Sequence, residues 1–137
     1  MSIFINNVRS LSVAALLALF SFGALAMILL MIPMGIVGFF AGQTSHLGTD
    51  AVTFLAAFIL PHGVIEIPAA IIATAFALRM GASIIAPPPG MAAGENLIRA
   101  FADFLKIFVF LILPFLLIAA WVEATITPQV VLWFYGR

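Results

Sequence analysis

The chain has 137 residues, 66% of them hydrophobic and only ten charged, five basic and five acidic. Soluble domains carry about 25% charged residues, so this composition excludes a soluble globular protein and leaves an integral membrane protein. The balanced charge excludes a basic field for nucleic acid and an acidic patch for cationic partners, and the absence of cysteine excludes disulfides and thiolate chemistry.

At the N-terminus, Arg9 precedes an apolar run, and Ala24-Leu25-Ala26 has the small-x-small form of a signal-peptide cleavage site. The apolar run does not stop there but continues through "MILLMIPMGIVGFFAG", so the segment reads as a retained anchor. As one straight helix, residues 11–41 would measure about 46 Å, longer than a hydrocarbon core of about 30 Å. Such a segment must tilt, protrude or break. Pro33, followed by Gly35 and Gly38, marks the place, because proline removes a backbone donor and crowds the preceding turn. The expected span therefore covers about residues 10–41 with a kink at Pro33, and "AGQTSHLGT" follows as a polar loop. A tight helical hairpin is the alternative.

Residues 51–79 form the second apolar region, interrupted by "LPHGVIEIP". Its two halves, each about 15 Å long as helix, together match one crossing of the core. Pro61 biases Leu60 away from helix, Gly63 tolerates any backbone conformation, and Pro68 suits the first turn of a restarted helix. A helix broken near 61–68 is one reading; a continuous helix kinked at Pro61 and again near Pro68 is the other.

The prolines of "APPPG" make residues 86–94 a stiff connector. Glu95, Arg99, Asp103 and Lys106 then recur opposite Leu97, Phe101, Phe104, Leu105 and Phe108, an amphipathic lead-in whose i,i+4 pairs Glu95–Arg99 and Arg99–Asp103 mark a wet face. The third span covers about 97–123, with a kink at Pro114 and Trp121 at the far interface, and "WFYGR" is a second interfacial cluster. The fold expected is thus an all-α, multi-pass membrane domain of three to four transmembrane helices, with at least one broken or kinked at Pro61/Pro68. If there are three crossings, the N-terminus and the second loop hold Arg9, Arg79, Arg99 and Lys106, and the opposite side holds only Arg137. That asymmetry puts the second loop in the cytoplasm; a hairpin in the first region would move Arg9 to the other group.

His62 and Glu66 are the residues that the membrane reading makes conspicuous. An ionisable side chain in hydrocarbon costs about 2.5–3.5 kcal/mol, so it faces protein or water and is paired. Four residues apart on a helix, the two share a face and can hydrogen-bond directly. A structural pair and the lining of a polar pathway both fit. Metal binding lacks ligands, since H-x-x-x-E supplies two and His46 lies in a distant loop. No Cys, H-E-x-x-H or G-x-S-x-G is present, so no catalytic, cofactor-binding or metal site is expected. Glu123 reads as a hydrated helix-end residue; the alternative is that it turns inward and joins His62 and Glu66.

"ILPHGVIEIPAAIIATAFALRMG" resembles the His-Gly-x-x-Glu segment of the stage II sporulation protein M family, and "LLIAAWVEATITP" is similar to that family's A-x-x-E-x-x-x-T-P stretch. The opening residues "NNVRSLSVAALLALF" resemble its Asn-Asn-x-x span. The matched positions are Asn6, Asn7, His62, Gly63, Glu66, Pro68, Arg79, Gly81, Glu123, Thr127 and Pro128. The resemblance implies a polytopic membrane protein without catalysis of its own; in spore formers such proteins anchor a peptidoglycan-degrading complex during engulfment. A cell-membrane scaffold for other membrane or envelope proteins is the leading expectation, with self-association left open. The alternative is a transporter or channel subunit with a polar midplane site at His62 and Glu66, supported by Gly63, Pro61, Pro68, Arg79 and Glu123.

Overall fold

The computed structural model describes residues 2–48 and 50–136; Thr49 of the first polar stretch and Arg137, counted above at the C-terminus, lie outside the described residues. Four helices follow one another: α1 Ser2–Phe20, α2 Ala24–His46, α3 Ala51–Ala82 and α4 Ala93–Tyr135. Each is long and apolar enough to cross a membrane, and no strand occurs among the described residues. The molecule is an all-α membrane protein. Its outer surface agrees with that solvent, since Met31, Ile32, Phe39 and Phe40 on α2 and Phe110 and Leu117 on α4 all point outward, an apolar exposure that water would not tolerate.

The first apolar region is divided at Ser21–Gly23 and not at Pro33, so the helical hairpin forms in place of one kinked span. Phe22 and Gly23 adopt left-handed φ values of 52° and 97°, a reversal that glycine makes without steric cost. The Ser21 hydroxyl accepts from the N–H of Leu25 and donates to the Leu17 carbonyl, tying the two helix ends. Pro33 is absorbed inside α2, which runs on to His46, so most of the expected polar loop is helical. The turn docks on α3: a Cβ at Gly81 would collide with the backbone nitrogen of Gly23.

α3 opens at Asp50, whose carboxylate accepts from the Thr53 hydroxyl and from the N–H groups of Thr53 and Val52. The Thr53 hydroxyl and these amides hold its carboxyl below the usual value. The cap therefore holds at neutral pH and is lost as pH falls below the ordinary carboxylate range through that lowered value. Asp50→Ala is expected to speed amide exchange at Val52 and Thr53 at neutral pH while Asp50→Asn, which keeps a capping oxygen, does not; equal exchange in the two variants would contradict the capping role.

Beyond the cap, α3 stays helical through both prolines, so the continuous alternative is the one formed and the unwound break is not. Its irregularity lies one turn earlier, at Leu55–Ile59, where the turn widens and the N–H of Leu60 reaches the carbonyl of Leu55. A proline ring presses on the carbonyl four residues back, and a wider turn ahead of Pro61 gives it room. α4 repeats the device: the turn widens at Phe108–Ile112, Leu113 N–H bonds to Phe108, and Pro114 follows. The two sites share the tripeptide Ile-Leu-Pro, residues 59–61 and 112–114.

α3 and α4 form an antiparallel pair joined through residues 83–92. Asn96 donates to the Ser83 carbonyl at 2.9 Å, and Arg79 pairs with Asp103 at 2.9 Å. Glu95–Arg99 forms as expected, but Asp103 turns to α3 instead of Arg99, because the antiparallel pairing brings Arg79 level with it. From Asn96 to Thr127, α4 spans about 46 Å, whereas its partners Ser83 and His62 are about 32 Å apart along α3. The widened turn with Pro114 lies between these two contacts, where a helix accommodates such a difference. α4 also continues past Glu123 to Tyr135, which puts Trp121 and Glu123 inside the helix and not at its end. In the turn before Pro128 the Thr125 hydroxyl donates to the Trp121 carbonyl at 2.7 Å. Trp133, Phe134 and Tyr135 supply the aromatic end instead.

The core is built largely of alanine. Ala18, Ala69, Ala73, Ala77 and Ala119 are buried between α1, α3 and α4, with Met80, Ile112 and Leu116 as the large members. Lipid tails are as apolar as leucine, so helices in a bilayer gain by close backbone approach, which small residues permit.

Candidate functional site

Two helical pairs meet face to face. His62 and Glu66 stand one turn apart on α3, Glu123 and Thr127 one turn apart on α4, and the antiparallel course of the helices sets His62 against Thr127 and Glu66 towards Glu123. An imidazole nitrogen and one carboxylate oxygen from each glutamate all lie within 4.8 Å of one another. All three residues are half-buried. Along α3, Glu66 lies about 20 Å from Arg79 and about 24 Å from Asp50, which places the cluster near the middle of the apolar slab.

His62 Nδ1 is 3.4 Å from Thr127 Oγ1, and that hydroxyl lies 3.4 Å from the Val122 carbonyl, to which it donates. The expected hydrogen bond between His62 and Glu66 is absent among the described residues. The imidazole turns across to α4, and Glu66 is left facing the second carboxylate. Neither Glu66 nor Glu123 has an ion-pair or hydrogen-bond partner among the described residues.

A cavity of about 510 Å³ opens beside the cluster, lined by His62, Gly63, Glu66 and Glu123 together with Asn6 and Asn7 of α1. A neighbouring cavity of about 550 Å³ carries Arg9 and Thr74 and shares Glu66. Gly63 is buried, and its missing side chain keeps the space open: a Cβ there would lie 3.3 Å from Ile59 Cγ2.

Of the residues singled out in the sequence, the structure brings His62, Gly63, Glu66 and Glu123 together. Pro61 stands in the first turn after the widened segment, and Pro68 lies exposed inside the helix. Arg79 is bound to Asp103 at the other end of α3, outside the site. The hairpin removes Arg9 from the group of Arg79, Arg99 and Lys106 and sets it in the neighbouring cavity. His46 ends α2. Reading the residues by charge alone passes over Thr127, Asn6 and Asn7; the signal for Thr127 is its i,i+4 spacing from Glu123, the spacing of His62 and Glu66. Three stretches far apart in sequence, around residues 6, 62 and 123, thus converge on one cavity.

No curated protein and no solved structure matches the chain. A family model, described as Stage II sporulation protein M, matches residues 1–128.

Proposed function

Because the chain belongs to the stage II sporulation protein M family, we propose that it is a cell-membrane assembly protein that holds the transmembrane helices of other membrane or envelope proteins and performs no catalysis of its own. The observation that supports this reading is the free face of α2. Gly35, Gly38 and Gly42 are exposed on one helical stripe, and a Cβ at any of them would meet nothing within 4 Å. Such a stripe lets a second helix approach to backbone distance, which is how association proceeds in lipid. Leucine at Gly38 and Gly42 is expected to abolish co-purification of the partner proteins in mild detergent while the melting temperature stays unchanged. Undiminished recovery of the same partners would remove the basis for the proposal.

A second reading, a subunit of a transporter or channel, is favoured by the cavities that reach Glu66. Under that reading Gly38→Leu leaves function intact, whereas bulk at Gly63 closes the cavity and stops solute flux.

A further inference from the structure

We infer that His62, Glu66 and Glu123 bind one divalent transition-metal cation, with Zn²⁺ the best fit, at half depth in the helix bundle. The inference goes beyond the assembly role and does not depend on it. Sequence spacing supplies two ligands, and the fold adds a third from the facing helix. One imidazole and two carboxylates make a three-ligand set of the kind that leaves a fourth position open. With one nitrogen and two oxygen donors and no sulfur, the set suits Zn²⁺ or Mn²⁺; it is too hard for Cu⁺, and its imidazole disfavours Mg²⁺ and Ca²⁺.

Two further observations point to a cation. The first is charge. Glu66 and Glu123 face each other in an apolar slab with no arginine or lysine bound to either among the described residues; Arg9, in the adjoining cavity, makes no ion pair with them. A divalent cation between two carboxylates makes the cluster neutral, the least costly state at low dielectric. The second is the orientation of the imidazole. The Thr127 hydroxyl lies 3.4 Å from both the Val122 carbonyl and Nδ1. In the tautomer with the proton on Nδ1, Thr127 accepts from it and Nε2 keeps the lone pair a metal needs; an outer hydrogen bond of this kind accompanies metal-bound histidine. One imidazole nitrogen and one oxygen of each carboxylate lie within 4.8 Å of one another, a spread that closes to metal–ligand distances of about 2.0–2.2 Å by side-chain movement of about 1 Å. The fourth position opens to the cavity bearing Asn6 and Asn7, where water or a small polar ligand fits.

The full chain, purified in detergent, is stripped with chelator and titrated with Zn²⁺, Mn²⁺ and Mg²⁺, with bound metal counted by mass spectrometry and stability followed by thermal unfolding. One equivalent of Zn²⁺ and a higher melting temperature are expected, with weaker Mn²⁺ binding and none of Mg²⁺. His62→Ala, Glu66→Gln and Glu123→Gln should each lose the metal, Thr127→Val should weaken it about tenfold, and His46→Ala should leave it unchanged. Removing one of two facing carboxylates relieves repulsion, so the stripped Glu66→Gln protein is expected to melt no lower than stripped wild type, which separates lost binding from unfolding. Wild type that takes up no Zn²⁺, or uptake that persists in both glutamine variants, overturns the inference.

Discussion

Replacing Gly81 by alanine is expected to cost about 1–3 kcal/mol and to loosen the α1–α2 hairpin from α3. The added carbon would collide with the backbone nitrogen of Gly23 and lie 2.6 Å from both the Ala18 carbonyl oxygen and the Phe22 carbonyl carbon. Backbone atoms cannot swing aside as side chains do, so the whole turn must move. That turn is held in place from within, by Gly23 N–H donating to Ala18 at 2.8 Å and by the left-handed φ of Gly23. Displacing it also shifts Asn6 and Asn7 at the other end of α1, which line the polar cavity. Thermal unfolding in detergent should show a large loss for Gly81→Ala and none for Gly94→Ala, where a Cβ meets nothing within 4 Å. Equal melting temperatures would mean that the turn does not dock as described.

Leucine at Ala73 is expected to be destabilising by a similar amount, about 1–3 kcal/mol or more, while leucine at Ala75 is silent. Ala73 is 3% exposed within the alanine-rich core, and Ala75, two residues on, faces outward. The comparison isolates packing from hydrophobicity. In water both substitutions would add apolar surface, but in a bilayer or micelle the outward leucine gains and loses nothing by transfer. Ala73→Leu instead adds bulk inside the packed core and is expected to force α1 and α4 away from α3. A matched pair of melting curves decides the matter; a loss at Ala75 as large as at Ala73 would mean that the outward face is not in lipid.

The solvent was legible at once, because ten charges in 137 residues leave no other medium for the chain. So was the all-helical class, since only intrahelical bonding satisfies the backbone in such composition without strands. Pro61 and Pro114 were legible as irregular places, but the form of the irregularity was not. Proline states that a carbonyl is displaced, and whether the helix unwinds or widens depends on what packs against it. Pro33 misled for the same reason. The chain reverses at Ser21–Gly23, in a stretch without proline, because Gly23 takes a left-handed φ and Gly81 of α3 offers a seat for the turn. Nothing local to residues 21–23 announces that seat, which lies almost sixty residues away.

The sequence by itself determined the solvent, the helices and the placing of His62 and Glu66 on one face, because composition and the 3.6-residue period act through neighbours in the chain. Only the tertiary structure decided what those two residues face. Glu123 reads locally as a helix-end carboxylate beside a tryptophan, and it becomes the third member of a cluster because α4 passes α3 antiparallel. Helical period fixes the direction of a side chain around its own axis, but the depth at which two helices bring their polar residues level depends on the connection and the packing of alanine against alanine. Those quantities belong to pairs of helices, and no single stretch of the chain contains them.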